Sequence, residues 1–269
     1  MKPIPPEATG HWIALVVLAL ASAGCPERDD GPPPPVLEVA AASDLRYAMV
    51  ELTTGFGRTH PDVTVRTSYG SSGQFESQIR NGAPFDLYFS ADIAYPERLA
   101  ERDLASRDGV FSYAIGRIVL WVQRDSPVDV QSLGIDALTH ESVRRVAVAN
   151  PRHAPYGRAA MAALSHYRLR RRLAGSLVLG DNVSQAAQFV QSGNADIGII
   201  ANSLAVAPPM REAGSHWEIP ADAYPEMRQG GMILRRSPHQ EAARAFRDHV
   251  LGPEGREVLS RFGFGLPDP

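Results

Sequence analysis

From residue 36 onward, short apolar runs alternate with longer stretches in which apolar residues recur every three or four positions. A short, continuous apolar run is typical of a buried strand, and the three-to-four spacing is typical of a helix with one apolar face. Strands that alternate with such helices indicate helices packed on mostly parallel sheets. The pattern therefore predicts an α/β fold.

The pattern places the elements as follows. The predicted strands are LEVAAA, VTVRTSY, DLYFSA, RIVLWVQ, RRVAVAN, SLVLGD, ADIGIIA and GGMILRR. The predicted helices are LRYAMVELTTGFGRTH, GQFESQIRNG, AYPERLAERDL, GRAAMAALSHY, VSQAAQFVQSG and HQEAARAFRDHVLG, several of which end at glycine. Neither an internal repeat nor a shift in composition marks a domain boundary within this part of the chain.

Residues 1–25 have the pattern of an export signal. An apolar stretch from Trp12 to Ala21 is followed by small residues ahead of Cys25, which is typical of a cleaved signal, and the stretch is too short to span a membrane. Two processing routes stay open. The signal is cleaved after Ala23, or Cys25 receives a lipid, because SAGC resembles a lipobox although Ser22 stands where leucine is usual.

The prolines of residues 26–35 predict a stiff spacer between this signal and the folded part. Cys25 is the only cysteine, so an internal disulfide is excluded. The signal predicts a periplasmic or other extracytoplasmic location, with membrane contact only through a lipid on Cys25.

Composition and charge exclude several classes of function. The 269 residues are 44% hydrophobic and 21% charged, which is ordinary for a globular protein. A net charge of -3 provides no positive field for nucleic acid. Lys2 is the only lysine, which excludes Walker-type phosphate loops and Schiff-base enzymes. The 8 histidines lack i, i+4 pairs and there is no CxxC, so we predict no metal-cation site.

Four predicted strand-to-helix junctions carry residues that donate hydrogen bonds. One such junction alone is accounted for by helix capping. Four together favour an anion site, because helix N-termini present free N–H groups and a partial positive charge. The residues at these junctions are Ser43, Ser71, Ser72, Tyr156, Gly157, Asn182 and Val183.

Five longer motifs resemble the molybdate-binding proteins of bacterial ABC importers. In chain order they are AAASDL, YGSSGQFESQIRNGAPFDLYFSAD, VAVANPRHAPYGRAA, ADIGIIANSLA and GPEGREVLSRFGFGLP. The resemblance implies a two-lobed fold in which each lobe is a mixed, mostly parallel sheet flanked by helices, with the ligand in the cleft between them. It implies one lobe of residues 36–114 plus 226–269 and a second of residues 115–225, joined by two crossovers.

The resemblance also implies the ligands of the oxyanion. The hydroxyls of Ser43 and Ser72 and the backbone N–H groups of Tyr156 and Val183 occupy the matching positions. The family often has a ligating tyrosine where this chain has Ala201.

The missing phenol leaves one donor to be replaced. We predict that the phenol of Tyr156 reaches the same oxygen, with Asn202 or an ordered water as alternatives. Otherwise the site is weaker or suits a different oxyanion.

The resemblance implies a non-enzymatic, monomeric receptor that needs no cofactor. It captures molybdate or tungstate and delivers it to a membrane permease with an ATPase partner. A receptor for another tetrahedral oxyanion stays open, as does a serine hydrolase using Ser72 with His153 and Asp86. The hydrolase is disfavoured because GSSG lacks the residue that G-x-S-x-G has between serine and the second glycine.

Overall fold

A computed structural model describes residues 1–3 and 34–268 of the chain. The predicted export signal beyond residue 3, including Cys25, lies outside the described residues. Residues 26–33 of the predicted spacer lie outside them as well. The part of the chain from Pro34 onward forms one compact unit. Among the described helices, none is long and apolar enough to cross a lipid bilayer.

The described residues contain ten strands. They are β1 (Val36–Ala42), β2 (Thr64–Gly70), β3 (Leu87–Ser90), β4 (Ala105–Gly116), β5 (Ile118–Gln123), β6 (Val146–Ala149), β7 (Leu177–Gly180), β8 (Ile197–Ala201), β9 (Gly214–Glu218) and β10 (Met227–Leu234). The first sheet has the strand order β2-β1-β3-β10-β4, and the second sheet has the order β7-β6-β8-β5-β9.

Helices connect these strands and cover the sheets. They are α1 (Arg46–Thr59), α2 (Ser72–Arg80), α3 (Ala94–Ala100), α4 (Val130–Leu133), α5 (Pro155–His166), α6 (Arg170–Leu173), α7 (Val183–Gln191), α8 (Asn202–Ala205), α9 (Pro208–Ala213), α10 (Gln240–Leu251) and α11 (Pro253–Arg261). Short 3-10 turns span Ser43–Leu45, Gly134–Thr139 and Ala221–Ala223.

Each sheet has one strand that runs against the other four. In the first sheet β1 pairs in parallel with β2 and β3, whereas β10 is antiparallel to both β3 and β4. In the second sheet β6 pairs in parallel with β7 and β8, whereas β5 is antiparallel to both β8 and β9. The structure therefore confirms the predicted mixed, mostly parallel α/β sheets.

The chain passes between the sheets at two neighbouring segments. It leaves the first sheet after Gly116 and enters the second at Ile118, and it returns between Glu218 and Met227. The Arg117 guanidinium lies 2.8 Å from the Glu218 carboxylate and joins the two crossings. These two crossings give a two-lobed fold. The exact lobe limits at 114/115 and 225/226 stay a prediction.

The core packs around the central strands of each sheet. The run IVLWV of β5 is buried throughout, as expected for a strand covered on both faces. In the first sheet, Phe89 of β3 makes an edge-to-face contact with Phe246 of α10, which in turn contacts Phe56 of α1. The C-terminal helix α10 therefore packs on the first sheet and not beside β5.

Besides the short helices α4, α6, α8 and α9, three elements were not predicted from the pattern. Strand β4 contains exposed Arg107 and Asp108, which break the apolar run, and it is held in place by pairing with β10. Strand β9 (GSHWE) also lacks a continuous apolar run and pairs at the edge of the second sheet. Helix α11 follows α10 directly. It lies within the C-terminal motif GPEGREVLSRFGFGLP, for which no helix was predicted. Edge strands depend on their partner more than on their own composition.

Candidate functional site

A small cavity lies between the two sheets, with room for about one water molecule. All four predicted strand-to-helix junctions line this cavity. The lining includes Ser43, Ser71, Ser72, Tyr156, Asn182 and Val183, and also Asp44, which the sequence analysis did not single out. The tertiary structure therefore brings together residues that are more than a hundred positions apart.

Ser43 links the end of β1 to the second sheet. It begins the 3-10 turn that leads into α1 and is buried. Its Oγ accepts a hydrogen bond from the Ser184 N–H at 3.3 Å, and its carbonyl accepts one from the Ser184 hydroxyl at 2.8 Å. Because the oxygen already accepts a bond, the Ser43 hydroxyl proton is free to donate to a ligand.

Ser71 and Ser72 have different roles at the start of α2. Ser71 is the N-cap, whose side chain accepts from the Gln74 N–H at 3.4 Å and lies 2.8 Å from Nδ1 of His153. Ser72 is fully buried, at 0% exposure, and its Oγ accepts from the Ala91 N–H at 3.0 Å. Helix capping therefore accounts for Ser71 but not for Ser72, whose proton is free to donate.

The N-termini of α5 and α7 contribute backbone donors. Tyr156 lies in the first turn of α5, after Pro155, and Val183 is the first residue of α7. N–H groups in a first turn have no partner within their own helix. Among the described residues, no other group accepts the N–H of Tyr156 or Val183. Two helix N-termini thus present free N–H groups and partial positive charge to the cavity.

The phenol of Tyr156 is hydrogen-bonded within the protein. It donates a hydrogen bond to Oδ2 of Asp44 at 2.9 Å. Nε2 of Gln229 donates to the same oxygen at 2.7 Å, and the Tyr113 hydroxyl donates to Oε1 of Gln229 at 2.7 Å. A phenol has one proton, and Asp44 accepts it. The proton of the Tyr156 phenol is thus directed at Asp44 here, and the replacement of the family tyrosine by this phenol stays a prediction.

Neither Ala201 nor Asn202 reaches the cavity. Ala201 is the buried last residue of β8. Nδ2 of Asn202 donates instead to the carbonyl of Gly263 at 3.1 Å. The position of the family tyrosine therefore contributes no side-chain donor here.

Asp44 is the functional candidate that the sequence analysis missed. It is 1% exposed, and among the described residues its Oδ1 has no hydrogen-bond partner. Burial raises the pKa of the Asp44 carboxyl to about 6, although the hydrogen bonds from Gln229 and Tyr156 act in the opposite direction. In the sequence, the only indication of this role is that an aspartate directly follows Ser43. An acidic residue near a helix N-terminus is also common, because it interacts favourably with the helix dipole.

Further contacts hold the two sides of the cavity together. Arg158 of α5 pairs with the carboxylate of Asp92 and donates to the Tyr95 hydroxyl at 2.8 Å. The Gly73 N–H donates to the carbonyl of His153 at 2.9 Å. A Cβ at Gly73 would lie 2.8 Å from that carbonyl oxygen, so this approach requires glycine.

The hydrolase candidates are not assembled. His153 contacts Ser71 and not Ser72. Asp86 accepts from the Glu38 N–H at 2.7 Å and from the Ser237 hydroxyl at 2.6 Å, so it does not orient a histidine. Within residues 1–3 and 34–268, no group of three or more His, Cys, Asp or Glu residues is arranged to hold a metal ion.

Several known proteins are similar to this chain in sequence. The bacterial extracellular solute-binding protein family matches residues 37–265. The molybdate-binding protein ModA of Azotobacter vinelandii is 35% identical over 230 residues, covering 86% of this chain and 90% of that protein. The molybdate-binding protein ModA of Rhodobacter capsulatus is 35% identical over 201 residues, covering 75% of this chain and 77% of that protein.

A solved structure agrees with these matches. The periplasmic molybdate-binding protein of Azotobacter vinelandii superimposes on this chain with a TM-score of 0.80 and 32% sequence identity. The match covers 86% of this chain and 100% of that structure. The matches confirm the family resemblance and the two-lobed fold predicted from the motifs. The chain belongs to the bacterial extracellular solute-binding protein family and, within it, to the ModA type.

Proposed function

We propose that this protein captures molybdate outside the cytoplasm and delivers it to the permease and ATPase of an ABC importer. The observation that carries the proposal is the convergence of four donors on one small cavity between the two sheets. These donors are the hydroxyls of Ser43 and Ser72 and the N–H groups of Tyr156 and Val183. The ModA relatives, which are named as molybdate-binding proteins, support the choice of ligand.

The donors suit a tetrahedral dianion for a chemical reason. Such an ion offers only acceptor oxygens, so it requires donors on all sides. Each hydrogen bond to a charged group contributes about 1.5 to 3 kcal/mol, and the two helix N-termini add their partial positive charge. Tungstate has nearly the same size and charge as molybdate, and we propose that it binds as well.

The protein acts as a monomeric receptor without a cofactor. The lobes are residues 36–114 plus 226–269 and residues 115–225, and the crossings at Arg117 and at residues 219–226 are their connections. The chain is processed either after Ala23 or at a lipidated Cys25. Mass spectrometry of the exported protein distinguishes these two products.

Calorimetric titration with molybdate, tungstate, sulfate and phosphate tests the ligand. We expect molybdate and tungstate to bind and to raise Tm, because a ligand that binds only the folded state stabilises it. If only sulfate or phosphate binds, the protein is a receptor for another oxyanion. Hydrolysis of a reporter ester that is lost in Ser72→Ala would contradict the receptor assignment altogether.

A further inference from the structure

A buried carboxyl lies in a cavity that otherwise presents hydrogen-bond donors. Asp44 lines the cavity next to Ser43, is 1% exposed, and has one oxygen, Oδ1, without a partner among the described residues. An ionised carboxylate at this place would repel a dianion, and its unpaired oxygen would add an acceptor to a site that needs donors. The donor set and this carboxyl are compatible only if the carboxyl carries a proton when the ligand is present.

The contacts of Asp44 show which oxygen would carry that proton. Oδ2 accepts two hydrogen bonds, from the Tyr156 hydroxyl at 2.9 Å and from Nε2 of Gln229 at 2.7 Å. Gln229 is held in this orientation by the Tyr113 hydroxyl on its Oε1. An oxygen that accepts two donors has no room for a proton of its own, whereas Oδ1 has no such bond.

We propose that Asp44 donates a hydrogen bond from a protonated Oδ1 to the bound oxyanion, so that capture of a fully ionised tetrahedral oxyanion takes up one proton from solvent. The inference rests on the proposed function and adds a ligand side chain to it. The carboxyl of Asp44 supplies the side-chain donor that Ala201 lacks. No bond other than the O–H bond of the carboxyl is made or broken.

Few other groups near Asp44 titrate. Tyr156 of α5 and Tyr113 of β4 face it, and burial raises the pKa of both phenols well above the ordinary value, so both stay neutral. Gln229 of β10 and Ser203 of α8, whose hydroxyl donates to the Asp44 carbonyl, carry no charge. Among the described residues, Asp44 is therefore the group at the cavity whose charge changes near neutral pH.

His153 is the next titratable side chain, and it contacts Ser71 rather than Asp44. Its contact with Ser71 stays in place when Asp44 is replaced by a residue that does not titrate. Asp44→Asn is such a replacement. Its amide oxygen can accept from Tyr156 and Gln229, and its Nδ2 can donate to the ligand in place of the protonated Oδ1.

The expected pH dependence follows from the pKa of about 6 in the ligand-free protein. About half of the molecules carry the proton at about pH 6 and about one in a hundred at about pH 8. If only the protonated form binds, the apparent affinity falls about fiftyfold between these two pH values. Molybdate and tungstate stay fully ionised over this range, so the ligand itself does not cause the change.

Calorimetric titration with molybdate in two buffers of different ionisation enthalpy measures the proton count directly. For the full chain we expect uptake of about one proton at about pH 8 and about half a proton at about pH 6. For Asp44→Asn we expect no uptake and an affinity that changes less than about threefold over the same range. The exposed Asp222→Asn is the matched control and should behave as the parent does.

Four outcomes overturn the inference. The parent binds molybdate without proton uptake, or its affinity rises with pH, or Asp44→Asn keeps the parent's proton uptake. A preference for hydrogen phosphate that Asp44→Asn abolishes would also overturn it, because Asp44 would then accept a proton from the ligand. If Asp44→Asn does not fold, the number of protons that the parent takes up on binding molybdate tests the inference by itself. Absence of molybdate and tungstate binding at every pH would instead contradict the proposed function.

Discussion

Replacing Ser72 by alanine separates ligand binding from helix capping. Ser72 is fully buried and its Oγ accepts from the Ala91 N–H at 3.0 Å, while Ser71 caps the helix. Ser72→Ala deletes a hydroxyl proton that has no acceptor within the described protein. It also leaves the Ala91 N–H without its partner.

The magnitude follows from these two losses. A hydrogen bond to a charged ligand contributes about 1.5 to 3 kcal/mol, so we expect molybdate affinity to fall by about tenfold to 150-fold. A buried N–H that loses its partner costs about 1 to 3 kcal/mol, so we expect the free energy of unfolding of the ligand-free protein to fall by that amount. Calorimetric titration and chemical denaturation measure the two effects separately.

A second buried serine provides the control. The Ser237 hydroxyl donates to Oδ1 of Asp86 at 2.6 Å, and neither residue lines the cavity. Ser237→Ala should lower the free energy of unfolding by about 1 to 3 kcal/mol and leave the affinity within about twofold of the parent. If Ser72→Ala binds molybdate as tightly as Ser237→Ala does, then Ser72 only supports the Ala91 backbone and the ligand assignment is wrong.

Three further predictions concern the same region. Tyr156→Phe removes a donor that lowers the pKa of the Asp44 carboxyl, so the midpoint of the pH-dependent affinity should move upward in a calorimetric pH series. Gly73→Ala places a Cβ 2.8 Å from the His153 carbonyl, and overpacking of about 1 to 3 kcal/mol should weaken binding by about fivefold or more in the same titration. Asp44→Asn should raise the free energy of unfolding of the ligand-free protein above about pH 6, as measured by denaturation.

The sign of the last effect follows from proton linkage. The pKa of the Asp44 carboxyl is about 6 in the folded protein and about 3.8 when unfolded, so the folded state binds more protons between these values. Stability therefore falls as pH rises from about 4 to about 6, and the full penalty, about 3 kcal/mol, is present above about pH 6. Asparagine avoids this penalty. A parent stability that rises with pH across this window, with Asp44→Asn no more stable than the parent, would contradict the assignment.

The predictions for Tyr156→Phe and Gly73→Ala can each be contradicted by one result. A Tyr156→Phe protein that loses molybdate affinity at every pH without a shift of midpoint would return the phenol to the ligand set. A Gly73→Ala protein with unchanged affinity would show that the contact with His153 does not accompany binding.

The order of strands and helices was largely determined by the sequence alone. Apolar runs such as IVLWV and the spacing of apolar residues in the longer helices are local properties, so the sequence predicts eight of the ten described strands and the six longer connecting helices. The four junctions at Ser43, Ser72, Tyr156 and Val183 were located for the same reason. Strands β4 and β9 were missed because their stability comes from pairing with β10 and β5.

Only the tertiary structure decided what each side chain at the junctions contacts. The Tyr156 phenol bonds to Asp44 across 112 positions of sequence, and Gln229 bonds to Asp44 across 185. Neither pairing follows from spacing or composition, because the Tyr156 contact joins the two lobes and the Gln229 contact forms only when the chain has returned to the first sheet as β10. Burial removes water from Asp44 and raises the pKa of its carboxyl, and that environment exists only after the chain has crossed between the sheets twice.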